Sequence, residues 1–191
     1  MGWSSCERAV DPSSRRGGTV SAESLHASAT SLLETWRPVV DQDRSLREAM
    51  LAFLGSAPRG CLREHAPGHI TASAVVFSHD AGEVLLTLHP KVGRWIQLGG
   101  HCEEGDETVA DAALREATEE SGIPGLRIEP GLYGAQAHPI TCSLGVPTRH
   151  LDLLFRITAP AGAVPVRSAE STDLRWWPVN ALPEDAEVLL Y

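Results

Sequence analysis

The segment from Val109 to Ser121 constrains this chain more than any other. It predicts a helix with a defined start and stop. Thr108 and Asp111 form a capping box at its head, and Gly122 with Pro124 ends it. At about 100° per residue, Ala110, Ala113, Leu114 and Ala117 share one face, and side chains this small let the helix lie close against a sheet. The adjoining face carries Glu116, Glu119 and Glu120 within about 100° of arc. Asp111 and Arg115 stand one turn apart on a third side, where a carboxylate can hold the guanidinium.

Three carboxylates on one face repel each other. Near a helix C-terminus the dipole adds about 0.3–1 kcal/mol of penalty for each. The concentration is local: residues 101–120 hold eight acids and one base, which is −7 of the chain's −9. A solvated acidic face is one reading of such a pattern. The other is an oxygen-rich site for a divalent cation, which removes the repulsion and can bridge carboxylates to substrate phosphates. Gly99 and Gly100 favour the second reading. They follow a short predicted strand, and a glycine-rich loop there lets backbone approach a phosphate or metal closely. The loop is not a Walker loop, and no GxGxxG dinucleotide fingerprint occurs.

Length and composition fit one globular domain with an extension: 191 residues, 42% apolar and 21% charged. No apolar run approaches the roughly 20 residues that span a bilayer, and the first 22 residues lack the apolar core of a signal peptide. The acidic patch disfavours anionic membranes and long nucleic acid as partners. Cys6, Cys61, Cys102 and Cys142 are scattered without a CxxC, which suits a reducing, cytoplasmic compartment. Of the 16 basic residues only Lys91 is lysine, the bias of a GC-rich bacterial coding sequence.

Three regions are expected: residues 1–22 as a flexible tail, 23–66 as a helical extension and 67–191 as the domain that carries the chemistry. Leu25, Ala29, Leu32, Leu33 and Trp36 recur at helical spacing, and Leu46, Ala49, Met50, Phe53 and Leu54 repeat it before Gly55 and Pro58. From Gly68 the texture changes. Ile70–Ser78 and Glu83–His89 read as a hairpin, and Trp95–Leu98 as a short strand ending at Gly99-Gly100. Leu126–Ala137 reads as two strands about Pro130-Gly131, Leu151–Ile157 and Leu174–Trp177 as strands, Thr141–Thr148 as a loop, and Val179–Leu190 as a short helix with a tail. Strands mixed with few helices predict an α/β or α+β sandwich. Cys61, His65 and His69 have a metal-like spacing, but Pro67 and Gly68 interrupt any common helix face and no fourth ligand is evident.

The box around this helix resembles that of the Nudix hydrolases: Gly, five residues, Glu, seven residues, then Arg-Glu-aliphatic-x-Glu-Glu-x-Gly-aliphatic. Arg115-Glu116-Ala117-Thr118-Glu119-Glu120-Ser121-Gly122-Ile123 matches the second half at every fixed position. In the first half the loop carries one extra residue: five residues separate Gly100 from Asp106, while seven separate Glu107 from Arg115. Either acid can take the family's first, largely structural acidic role.

The resemblance, spanning about Gly68 to Leu190, implies an α/β/α sandwich with a mixed sheet, preceded here by the helical extension. It implies hydrolysis of a nucleoside diphosphate linked to another moiety, a small nucleotide-type diphosphate. It implies that Glu116, Glu119 and Glu120 bind Mg²⁺ or Mn²⁺ with help from the Gly99 carbonyl, and that Arg115 orients them. Glu116 or Glu120 is the candidate base, with Glu170 as the candidate outside the box. Gly100, His101, Arg94 and Trp95 are candidate substrate contacts, Trp95 either stacking on a base or ribose or packing in the core. His101, His138 and His150 are candidates for phosphate or metal contacts or for structural roles. Asp152, in an otherwise apolar strand, is expected to face substrate or to be a paired buried acid. Trp176 and Trp177 are expected on opposite sheet faces. The extension is free to cap the site, to mediate a homodimer or to pack on the sheet. A catalytically silent binding module on the same fold is the competing class, and it would be expected to lack metal glutamates; none is missing here. An isopentenyl-diphosphate-isomerase-like enzyme shares the fold, with no further feature in its favour.

Overall fold

The computed structural model describes residues 16–141, 145–169 and 171–190. Two helices come first, α1 (Arg16–Thr35) and α2 (Asp41–Ser56). Strands β1 (His69–Phe77), β2 (Glu83–Leu88), β3 (Trp95–Ile96) and β4 (Leu98–His101) precede helix α3 (Val109–Ser121). Strands β5 (Arg127–Ile128), β6 (Gly134–Thr141), β7 (Pro147–Thr158), β8 (Asp173–Pro178) and β9 (Ala186–Glu187) follow. The mixed sheet with few helices is the α+β class the pattern predicts. Most of the expected tail, residues 1–15, lies outside the described residues, and α1 starts at Arg16, where Gly17 and Gly18 gave no helical signal.

Strand β1 is the axis of the sheet. Every one of its residues is buried. It runs parallel to β7 from His69↔His150 to Phe77↔Thr158. On its other edge it pairs antiparallel with β4 over its first half and with β2 over its second. β7 continues outward to β6 and β5, and β2 to β8 and β3. Among the described residues β6 pairs only with β7, and an edge position tolerates Pro139.

Alternation along β1 separates two faces. Ile70, Ala72, Ala74 and Val76 face the helices. Ile70 and Ala72 pack with Leu25, Ala29 and Leu33 of α1, Met50 and Leu54 of α2, and Ala112 and Ala113 of α3. Ala74 and Val76 pack with Leu98, Ala117, Ile123 and Ile157. The alanine face of α3 meets Ala72 and Ala74, so the helix lies close to the sheet as the small residues predict. The first two helices are therefore part of the principal core. The opposite face is divided. Val75 and Phe77 join Val84, Leu86, Trp95 and Leu154 in a third apolar cluster. His69, Thr71 and Ser73 occupy the same face nearer the start of β1 and make it polar there.

Two expectations are corrected. Val179–Leu190 forms no helix; it runs through turns to β9, which pairs parallel with β3. Pro183 removes a helical hydrogen bond mid-segment, and Leu182, Val188, Leu189 and Leu190 cover the Trp95–Trp177 cluster instead. The glycine pair is not a loop: Gly99 and Gly100 lie inside β4, opposite Ser73 and Ala72. Gly99 has φ of 146°, and a Cβ there would meet the Ala72 carbonyl and the Ser73 Cα at 2.6 Å, so only glycine fits. Trp176 packs toward the α3-side cluster and Trp177 into the opposite one, as alternation predicts.

Because α1 buries Leu33 completely, Leu33→Ala is expected to lower unfolding free energy by about 2–5 kcal/mol, read by urea denaturation. Val39, 85% exposed, is the control: Val39→Ala should stay within about 0.5 kcal/mol.

Candidate active site

Helix α3 begins with the predicted box: Thr108 Oγ1 accepts from the Asp111 amide at 3.1 Å and Asp111 Oδ2 accepts from the Thr108 amide at 3.1 Å. It ends on Gly122 at φ 63°, where a left-handed cap is natural for glycine. The capping box occupies Asp111, so Asp111 does not hold Arg115, contrary to the i,i+4 expectation. Asp106 does. Its carboxylate takes both ends of the guanidinium fork, Nε to Oδ1 and Nη2 to Oδ2, each at 3.0 Å. The Glu103 amide donates to Asp106 Oδ2 at 2.8 Å. Asp106 is buried while Glu107 is exposed, so Asp106 takes the structural acidic place before the helix.

Arg115 is the hub. Beyond Asp106, Nη2 donates to the His101 carbonyl at 2.9 Å, and Nη1 donates to Glu116 Oε1 at 3.0 Å and to Glu119 Oε2 at 3.2 Å. The bond to Asp106, with the charges of Glu116 and Asp106, holds its pKa above the ordinary arginine value. One side chain thus joins strand β4, the connecting loop and the glutamate face.

Glu120 is buried, and its Oε2 accepts from the Gly99 amide at 3.2 Å. A Cβ at Gly100 would lie 2.5 Å from Glu116 Oε1, so glycine lets that carboxylate reach the strand. Glu119 projects outward, its side chain 60% exposed. Glu116, Glu119, Glu120, Arg115, Gly99, Gly100 and the His101 backbone are therefore brought together. Three carboxylates with adjacent backbone carbonyls are hard oxygen donors, the set that suits Mg²⁺ or Mn²⁺.

Other expected residues go elsewhere. Trp95 is buried in the apolar cluster on the face opposite α3, edge-on to Trp177 at 5.3 Å between ring centroids. Its packing reading, not the stacking one, describes its position. Arg94 is exposed and pairs with Glu187. Glu170 lies outside the described residues. Asp152 is the buried acid of its strand, accepting from Thr71 Oγ1 at 2.8 Å, with Ser73 and Gln97 also bonded to it. Burial pushes its carboxyl above the usual range. Thr71, Ser73 and Gln97 were not singled out from sequence; their period-2 placement on β1 and before β4 was the available signal.

The polar face also gathers histidines. His69, His101 and His150 lie with ring centroids 5.0–5.1 Å apart, and His138 is 5.3 Å from His150. Burial, then the neighbouring imidazoles, lowers His101 to about 4 and His150 to about 3. His69 is lowered as well, chiefly by burial. Cys61, by contrast, is buried in the helix-side core, its thiol pushed up to about 12, and is not part of this group.

Two expectations follow. Asp106→Ala leaves Arg115 without its buried partner and should lower stability by about 3 kcal/mol, against about 0.5 kcal/mol or less for Glu107→Ala, both by chemical denaturation. A lowered histidine pKa means that the unfolded chain takes up the proton first. Stability is thus lost as pH falls below 6.5 toward the folded values near 3–4. His150→Gln should flatten the dependence of Tm on pH in that window.

Among solved structures, a NUDIX-family hydrolase from Clostridium perfringens is similar at 23% identity, over 62% of this chain and 88% of that one, with a TM-score of 0.48. The dihydroneopterin triphosphate pyrophosphohydrolase of E. coli is similar at 24% identity, over 58% and 81%, with a TM-score of 0.48. The NUDIX domain of Shewanella oneidensis NrtR, crystallised with ADP ribose, is similar at 24% identity, over 58% and 73%, with a TM-score of 0.43. The NUDIX domain model matches residues 67–189, nearly two thirds of the sequence and the whole of the sheet with its acidic helix, and the chain belongs to that family.

Proposed function

We propose that the chain is a metal-dependent pyrophosphohydrolase that cleaves the diphosphate linkage of a nucleoside diphosphate joined to another moiety. One observation carries the reading: Glu116, Glu119 and Glu120 stand together beside Gly99 and Gly100, two of them bonded to Arg115. A binding module has no need of three mutually repelling carboxylates held in register. Glu116, Glu119, Glu120 and the Gly99 carbonyl would hold Mg²⁺ or Mn²⁺, and the bound ion would neutralise the diphosphate and acidify a water.

The protein's own share is positional. Asp106 fixes the guanidinium of Arg115, and Arg115 fixes Glu116 and Glu119 relative to β4. Glycine at 100 keeps a side chain out of the space that the Glu116 carboxylate needs, and glycine at 99 lets β4 lie against the backbone of β1. Glu116 or Glu120 accepts the proton of the attacking water, and the buried position of Glu120 limits its solvation. The partner is a small diphosphate rather than a long nucleic acid, in keeping with the acidic patch. The free, buried Cys61 and Cys102 suit a reducing cytoplasm.

The test is hydrolysis of a panel of nucleoside triphosphates, ADP-ribose, dinucleoside polyphosphates, nucleotide sugars and capped RNA ends, with Mg²⁺ or Mn²⁺ at mildly alkaline pH. One class should be cleaved, chelator should stop the reaction, and Glu120→Gln should lower kcat by about a hundredfold or more. Equal activity in Glu120→Gln, or turnover in chelator, would contradict the assignment.

A further inference from the structure

The histidine group on the sheet face opposite α3 is unexplained by the acidic helix. His69 and His150 are direct partners in the parallel β1–β7 register. His138 is the direct partner of His150 across β6–β7. His101 lies on β4 opposite Thr71, two residues from His69 and on the same face. Four adjacent strands thus bring four imidazoles to one end of the sheet. For three of them, His69, His101 and His150, one ring nitrogen each lies within 4.8 Å of the others.

Two features distinguish this group from a packed aromatic cluster. The Nε2 atoms of His69 and His150 are buried with no hydrogen-bond partner among the described residues. Buried polar atoms are normally satisfied, and two orphans in one cluster point to a missing ligand. His69 Nδ1 is also turned to the His65 carbonyl, at 3.4 Å. A proton on Nδ1 directed at a carbonyl leaves the lone pair on Nε2, the arrangement that metal-ligating histidines adopt.

We infer that His69, His101 and His150 form a second metal centre, for a transition-metal dication of the zinc class, separate from the glutamate site on α3. Imidazole nitrogen selects Zn²⁺, Co²⁺ or Ni²⁺, whereas Mg²⁺ keeps to oxygen donors, so the two faces of the sheet divide the metals by ligand chemistry. Nitrogen ligands about a zinc ion stand roughly 3.3 Å apart, given bonds of about 2.0–2.1 Å. The rings must close from their present spacing. Rotation about χ2, which is broad for histidine, supplies this for the half-buried His101 and His150. Three protein ligands leave one position open to water or an anionic oxygen. His138, its ring 5.3 Å from that of His150, adjoins the group without being one of the three ligands. The two centres share β4: His101 offers its ring to this site and its carbonyl to Arg115.

The experiment is a Co²⁺ titration of the full chain in excess Mg²⁺, followed by visible absorption. The expected result is the intense band of four- or five-coordinate cobalt, saturating at one Co²⁺ per chain and displaced by Zn²⁺. His150→Gln and the less buried His101→Gln should each weaken Co²⁺ binding by at least about tenfold, while Glu119→Gln leaves it unchanged. Far-UV circular dichroism checks that each variant is folded, and the two histidine variants guard against the loss of either. X-ray absorption at the zinc edge should show nitrogen neighbours at about 2.0–2.1 Å. Failure to bind Co²⁺ in excess Mg²⁺ would overturn the inference. So would a band that survives both histidine substitutions, or one lost in Glu119→Gln. None of these readouts depends on hydrolysis, so failure here leaves the acidic-helix assignment untouched, and the reverse also holds.

Discussion

The site depends on a single ion pair held away from water, Arg115 with Asp106. A buried carboxylate facing a half-buried guanidinium is costly to break and demands good geometry, and here both nitrogens of the fork are engaged. With that end anchored, the remaining donors of Arg115 are aimed at the His101 carbonyl, Glu116 and Glu119. The arrangement offsets the repulsion among the glutamates and ties helix to strand. A lysine, with one rotatable ammonium in place of a planar fork, cannot serve three directions at once.

The sheet gives that hub its setting. Because β1 is buried along its whole length, its alternation decides the chemistry of both faces: small apolar residues against α3 on one, His69, Thr71 and Ser73 on the other. Gly99 and Gly100 sit where β4 crosses between these environments. One allows strand backbone to approach strand backbone, and the other allows a carboxylate to approach strand backbone. The first two helices complete the apolar side and the C-terminal segment completes part of the other, which leaves the polar end of the second face to histidines and to the buried Asp152.

What was legible in the sequence was local. The α3 cap, its glycine stop, its alanine face, the β1–β2 hairpin and the opposite orientation of Trp176 and Trp177 follow from short-range spacing. The box residues were legible for the same reason, since four of them lie within six positions. Long-range partners were not. Helical spacing points to Asp111 as the holder of Arg115, but the capping box occupies Asp111 and the path of the loop brings Asp106 to the guanidinium instead. The glycine pair reads as a loop because propensity disfavours glycine in strands, yet close backbone packing at Gly99 requires it there. Pro183 argues against a C-terminal helix, and the helical reading of residues 179–190 takes no account of it. The histidine cluster depends on a parallel register between β1 and β7, which no local pattern encodes.

The central claim, that the three glutamates of α3 bind the catalytic metal, is tested most directly by anomalous diffraction from a crystal soaked in Mn²⁺ with a non-hydrolysable diphosphate. The claim predicts manganese peaks within bonding distance of Glu116, Glu119 and Glu120 carboxylate oxygens and the Gly99 carbonyl, touching the diphosphate. Manganese and diphosphate bound elsewhere, with Glu116 and Glu119 still closed on Arg115 and Glu120 on the Gly99 amide, would contradict it.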